Sequence, residues 1–500
     1  MHSCEFEKRI RMKELLNRVR SPKEAAKFVK NGMLIGIGAS PWGGTAQTFF
    51  VALASEMKGK GKIKLISGSQ LPYEVDGLLV ETGVLERRFG QFSDKFLLKA
   101  ANERTIPVVD TRTGIMPHQV MENRYGKIDA ALVQAAAITE DGNIIPTMAC
   151  LDVPNYVNIA DKVIVEINTD IPEEIEGIHD IYIPAVAPKR MPIPLTYVGE
   201  RIGTPYIPVN TDKIAAIIKS TISDDPPSRF IVDKIGRRIG TTLVDFLQSE
   251  VDSNRLPKNL LPLQFGVGSV SEAVAGSFSE SSFNDLEIYT GAFMDGCLDL
   301  IDIGKVKMAT TSVLYLSKEG FDRFYGNLSK YKEHMILRPV VVTNSPEVVA
   351  RLGVIAINSA VEVDIYGNAN STHIQGSKVI GGIGGSGEFL WNAYLSILVL
   401  SSVVKGGDIS SIVPMVTHVD HPEHCIDVVI TEQGFADLRG LGPVERALQI
   451  INNCAHPDYK PILEEYLKDA INMRGGHQPH ILERAFQMHN NFRERGSMKL

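Results

Sequence analysis

Two short segments constrain this chain more than any other feature. Leu34-Ile-Gly-Ile-Gly-Ala-Ser40 and Leu263-Gln-Phe-Gly-Val-Gly-Ser269 are both apolar runs that break into a Gly-x-Gly turn. Each leads into a helical-looking stretch and a second apolar run, KIKLISGS in one case and DLEIYTGA in the other. An Asp-Gly pair follows each (Asp76-Gly77 and Asp295-Gly296), then Gly83 or Gly304, then Asp141-Gly-Asn143 or Tyr366-Gly-Asn368. ADKVIVEIN, ending at Asn168, is matched with IDVVITEQG, ending at Gly434, which sets Glu166 opposite Glu432. Matches in this order point to one α/β plan written twice. Apolar runs such as Met33–Ile37, Lys62–Ile66, Ala130–Val133 and Lys162–Ile167 alternate with longer segments, as βα units of parallel sheets do.

The expected fold class is therefore α/β: two duplicated open-sheet domains with a cleft between the carboxyl ends of their sheets, where open α/β folds hold ligands. Ser223-Asp-Asp-Pro-Pro-Ser228 interrupts the pattern. It divides the chain into a domain over 1–222, a linker over 223–229 and a second domain over 230–500. The run Asp212–Lys219 reads as helical, and Phe389–Val404 as a buried core helix too short and too polar for a bilayer. The charged start MHSCEFEKRIRMKELL lacks the apolar stretch of a signal peptide, so a cytoplasmic, non-membrane protein is expected. A net charge of −7 without a basic block argues against nucleic-acid binding. Five cysteines without CxxC spacing read as reduced thiols, neither a disulfide frame nor a zinc site.

Several motifs carry chemistry. Gly381-Gly-Ile-Gly-Gly-Ser-Gly387 lets backbone approach a ligand and offers N–H groups to a phosphate or a polarised carbonyl. It also fits G-x-G-x-x-G, but Asp408 precedes the run ISSIVPMV instead of ending a strand, which argues against a nicotinamide site. Gln264–Ser269 is either a ligand-facing loop or a plain βα turn. Glu432 ends the apolar strand VVIT, where a carboxylate is a general base, a positioning group or half of an ion pair. His418, His421 and His424 lack zinc-ligand spacing and read as loop histidines. Lys405 in Lys-Gly-Gly is either a phosphate contact or a solvated lysine.

Together these segments and the stretches SAVEVDIYGNANSTH, GSKVIGGIGGSGEF, KGGDISSIVPMVTHVDH, ITEQG and CAHPDYKP resemble the acetyl-CoA hydrolase/transferase family, and within it class I CoA-transferases acting on acetate, succinate or propionate. The resemblance spans essentially the whole chain. It implies a homodimer with no permanently bound cofactor and no metal, using coenzyme A as substrate and product with a small carboxylate or water as second partner. In the family a glutamate attacks the acyl-CoA, giving an acyl-glutamyl anhydride and then a glutamyl–CoA thioester. By position, Gly266, Val267, Gly268 and Ser269 match the CoA loop, and Val361, Gly381 and Lys405 match further CoA contacts. Gly385 matches the oxyanion donor, and Asn344 and Glu432 match supporting residues.

The chain departs from the pattern at the nucleophile. Where the family reads Thr/Ser-Glu-Val, this sequence reads Thr290-Gly291-Ala292. SPWGGTAQTFF replaces a stretch containing Gly-Tyr-Pro-Lys, and Asp225 stands about where relatives carry an arginine. Two functions follow as expectations. One is an acyl-CoA hydrolase or transferase in which water takes the place left at Gly291 and Glu432 serves as base. The other is a catalytically impaired CoA-binding paralogue or regulatory subunit.

Overall fold

The computed structural model describes residues 2–499. The first sheet contains β1 (Leu34–Ile37), β2 (Ile63–Ile66), β3 (Leu85–Phe89), β4 (Val108–Val109), β5 (Ala130–Ile138), β6 (Ile144–Pro146), β7 (Lys162–Ile167) and β8 (Ile214–Lys219). Its order is β4-β3-β2-β1-β5-β7-β8, parallel throughout, with β6 antiparallel to β5. The second sheet uses β9 (Leu263–Phe265), β10 (Leu286–Tyr289), β12 (Val306–Thr311), β14 (Met335–Leu337), β15 (Ile355–Ser359), β16 (Leu395–Val399), β17 (Val428–Thr431) and β18 (Gly434–Asp437). Between its members run β11 (Ala292–Met294) and β13 (Val313–Tyr315), which pair with each other. The order β14-β12-β10-β9-β15-β16-β17-β18 repeats that of the first sheet, with β9 in the place of β1. The α/β class, the open parallel sheets and the duplication expected from sequence are all present.

Three sequence expectations change. Asp212–Lys219 is not helical: a single 3-10 turn at Thr211–Lys213 leads into β8, whose Ile214, Ala216, Ile217 and Ile218 are fully buried. Phe389–Val404 is not one helix: α4 (Ser386–Leu390) stops and β16 begins at Leu395. In both places a strand covered on two faces is apolar at nearly every position, so it carries no period to separate it from a buried helix. The third change concerns the repeat. β7 lies between β5 and β8, and its counterpart is β16, between β15 and β17. The strand ending in Glu166 therefore does not correspond to the strand before Glu432, which corresponds to β8. What recurs is a Glu–Ser pair with its members exchanged between adjacent strands. Glu166 accepts from Ser220, just after β8, at 2.9 Å, whereas Glu432 accepts from Ser402, beyond β16.

Of the helices, α1 (Gln47–Met57) opens over the Glu166 carboxylate, which accepts the Phe49 N–H at 2.9 Å. α2 (Lys234–Asp252), capped by Asp233, packs on α3 (Ser269–Ser277), the helix that follows β9. The segment 178–204 leaves the first half and lies on the second sheet. Asp180 N–H donates to Leu337 O at 2.9 Å, and Ile193, Leu195 and Val198 join the second core. At its root Arg338, fully buried, forms an ion pair with Asp180. Cys150, Cys297, Cys425 and Cys454 are buried free thiols, and Cys4 lies outside the described side chains. Among the described residues no helix is long and apolar enough to cross a membrane.

Candidate active site

In the second sheet the chain runs from β9 outward through β10, β12 and β14, then returns to β15 on the other side of β9. Loops diverge at such a switch point and leave a crevice at the carboxyl ends of the strands. A cleft of about 290 Å³ opens there. Gly266 and Val267 leave β9, Gly291 leaves β10 and Ser359 ends β15. The facing wall comes from the first half, through Ser69 and Gln70 after β2 and Gln91 after β3.

Asn344 is the centre of the site. It follows the short helix Val340–Thr343, which Tyr289 OH anchors by donating to Val342 O at 2.6 Å. Thr343 Oγ1 donates to Asn344 Oδ1 at 2.9 Å, which turns the amide NH2 toward Gly385. A methyl group on Gly291 would stand 2.9 Å from Asn344 Oδ1, and one on Gly385 would collide with Asn344 Nδ2. The two glycines thus flank one amide. The Gly291 carbonyl is fixed by Ser312 N–H at 3.1 Å and Thr311 Oγ1 at 3.2 Å.

The glycine-rich loop is held by the first half of the chain. Thr113 N–H donates to Gly384 O at 3.0 Å, Gly382 N–H to Phe92 O at 3.1 Å, and Ile383 N–H to Asp110 Oδ2 at 2.9 Å. Gly384 has φ +65° and Gly382 has no room for a Cβ beside Asp110 and Gln91, so these two positions require glycine. The loop runs into α4, whose Ser386 lines the cleft with its hydroxyl 3.0 Å from His421 Nε2. His421 is buried, and desolvation lowers its pKa to about 4, so the ring is neutral at neutral pH. Behind the loop, burial raises the Glu388 carboxyl to about 7 against the pull of Arg112, whose Nε lies 3.7 Å away.

The residues expected to act together divide into two sets. Gly266, Val267, Gly291, Asn344 and Gly385 line the cleft. Gly268 and Ser269 start α3 just beyond it, and Gly381 begins the loop at its rim. Val361 N–H donates to Asn370 O, and the Lys405 ammonium lies 5.0 Å from the centre of the Phe492 ring. Glu432 is outside the lining. Its carboxylate accepts from the Ser402 N–H at 2.9 Å, the Ser402 hydroxyl and Gln433. Sequence reasoning passed over Ser386 and the first-half residues Ser69, Gln70 and Gln91. The position of Gly68-Ser69 after β2, matching Gly291-Ala292 after β10, was the available signal for the latter. His418, His421 and His424 do not converge: His418 packs on the His373 ring at 4.0 Å, while His421 turns to Ser386.

A sequence profile of the acetyl-CoA hydrolase/transferase N-terminal domain matches residues 1–219, and one of the C-terminal domain matches 320–467. The chain is 42% identical over 496 residues to a succinyl-CoA:acetate CoA-transferase of Clostridium kluyveri, covering 99% of this chain and 92% of that one. The chain belongs to the acetyl-CoA hydrolase/transferase family. Among other members, an acetyl-CoA hydrolase of Schizosaccharomyces pombe is 40% identical over 519 residues, covering 100% of this chain and 98% of its own. Solved structures share the fold of this family member at lower identity. RipA from Yersinia pestis superposes with TM-score 0.72 at 20% identity over 92% of this chain and 98% of its own. A 4-hydroxybutyrate CoA-transferase from Porphyromonas gingivalis gives 0.63 at 22% over 91% and 98%. This member of the family is accordingly an enzyme by descent. Gly291 falls between the two profile-matched stretches.

Proposed function

We propose that this enzyme cleaves short acyl-CoA thioesters, with hydrolysis dominant over transfer to a carboxylate. The observation that carries this is the pair Gly291 and Gly385 on either side of the Asn344 amide, in a cleft with no Asp or Glu among its lining residues; we read the Gly385 N–H and the Asn344 amide as the oxyanion donors. The thioester carbonyl oxygen accepts from the Gly385 N–H and Asn344 Nδ2, where charge develops during attack. Water occupies the space left open at Gly291. Its attack on the carbonyl carbon breaks the C–S bond, the water proton passes through Ser386 to His421, and the departing thiolate is reprotonated from the same relay. The Ser386–His421 contact favours this route over one through Glu432, which we assign to holding Ser402 in place. Gly266, Val267, Gly268, Ser269, Val361, Gly381 and Lys405 are proposed to bind the CoA moiety. A homodimer in the cytoplasm completes the reading.

The test is release of free CoA from acetyl- and butyryl-CoA by the purified protein, followed with a thiol reagent. Sustained turnover is expected. CoA binding by calorimetry without any release would replace the proposal with the CoA-binding paralogue, which the glycine at 291 equally permits.

A further inference from the structure

The inner end of the cleft lies where the two halves of the chain meet, and main-chain hydrogen bonds fix its wall. Val340 N–H donates to Leu151 O at 2.8 Å, and Ala149 bridges to Val313. The surfaces turned inward there are Leu151, Ala292, Val313, Tyr315 and Val340. Among the residues lining the whole cleft there is no Asp, Glu, Lys, Arg or His. The wall is backed by Trp42, 5.2 Å from the Tyr315 ring, and the ionisable group beyond is an acid. That acid, Asp224, accepts from Gly44 N–H at 3.2 Å, and burial raises its carboxyl to about 6. Neighbouring guanidiniums are already engaged: Arg338 by Asp180 and backbone carbonyls, Arg112 by Glu388 on the far side of Gly114.

We infer that the acyl group accepted here is uncharged and apolar, and that dicarboxylic acyl groups such as succinyl are rejected. The inference rests on the hydrolase reading of the same site. A thioester held with its carbonyl between Gly385 and Asn344 places its acyl tail against Leu151, Val313 and Val340. A propionyl, butyryl or isobutyryl tail buries methyl groups against these side chains. A succinyl tail puts a carboxylate against this wall with no cation to replace its water, a cost that an ionised group meets only in part through neutral hydroxyl and amide groups. Specificity of this kind comes from the unpaired polar group and exceeds what an added methylene supplies.

Butyryl- and succinyl-CoA both have four-carbon acyl chains and differ mainly in the terminal carboxylate, so they isolate the effect. With the full-length protein, kcat/KM for butyryl-CoA is expected to exceed that for succinyl-CoA by about 100-fold or more. A ratio within tenfold would overturn the inference and leave the hydrolase reading standing. If neither thioester is cleaved, calorimetry decides the matter separately: butyryl-CoA binding much more tightly than succinyl-CoA supports the apolar pocket, and equal affinity refutes it. Ala292→Lys adds a cation to the half-buried edge of this wall and is expected to narrow the butyryl-to-succinyl ratio at least tenfold. A correctly folded A292K protein with an unchanged ratio would also count against the assignment.

Discussion

Replacing Gly385 with alanine tests the oxyanion arrangement most directly. Gly385 has φ −103° and ψ 2°, values open to any residue, so the substitution adds no backbone strain. All of its effect comes from the new methyl, which would occupy the space now held by Asn344 Nδ2. To regain ordinary contact the amide must retreat by about 1 Å, a misplacement that costs about 100-fold in rate. Complete loss of one oxyanion donor costs about 10²–10³ in kcat, or about 2.7–4 kcal/mol, so the two estimates agree. Gly291→Ala perturbs the amide and the proposed water site together: its methyl stands 2.9 Å from Asn344 Oδ1 and takes up the space in which the attacking water sits, so a loss of about 100-fold is expected there too. The assay is thiol release from butyryl-CoA, with kcat and KM resolved and thermal melts confirming the fold. If G385A keeps more than a third of the wild-type kcat, Asn344 does not serve the developing oxyanion.

Gly291→Glu is expected to install a nucleophile: incubation with acyl-CoA should give an enzyme adduct of the mass of a glutamyl–CoA thioester, absent from the wild type. Ser386→Ala should lower kcat about 100-fold at nearly constant KM, because the relay to His421 is cut while the acyl-CoA contacts remain. Arg338→Met leaves Asp180 buried without its partner, a loss of about 3–5 kcal/mol in denaturant unfolding, and R338M/D180N should recover part of it. Glu166 is held near pKa 7 by burial, against about 4.3 in an unfolded chain. Its raised value gives stability that is full below about pH 4.3 and lost as pH rises through 7. Glu166→Gln should flatten the decline of Tm between pH 5 and 8, and an unchanged slope would show that Glu166 is not the group responsible.

Much of this was legible in the residues. The two Gly-x-Gly turns marked β1 and β9, the central strands of both sheets: Gly36 and Gly38 leave no room for a Cβ against Tyr156 and Asp152, and Gly268 takes φ +131° at the start of α3. Gly291, Asn344 and Gly385, which the resemblance assigns to one site, line the same cleft. The inner strand β16 and the edge strand β8 were hidden because burial on both faces erases the alternation that identifies a strand. The shifted repeat had a similar cause: Lys162–Ile167 and Val428–Thr431 are both apolar runs ending beside a glutamate, and sequence alone could not reveal that Ser220 and Ser402 trade places with those glutamates. The relay through Ser386 and His421 depends on residues 35 positions apart brought to 3.0 Å, a distance no spacing rule encodes.

The strap over 178–204 bears on how the polypeptide could ever be divided. Its backbone extends the edge of the second sheet at Leu337, and Arg351 reaches it by donating to Ile193 O and Leu195 O at 2.7 and 2.9 Å. A nick at Pro226–Pro227 would therefore sever the covalent thread without freeing either piece. The front fragment would still clasp the back one, and the two would travel through a sizing column as one particle until denaturant loosened the grip.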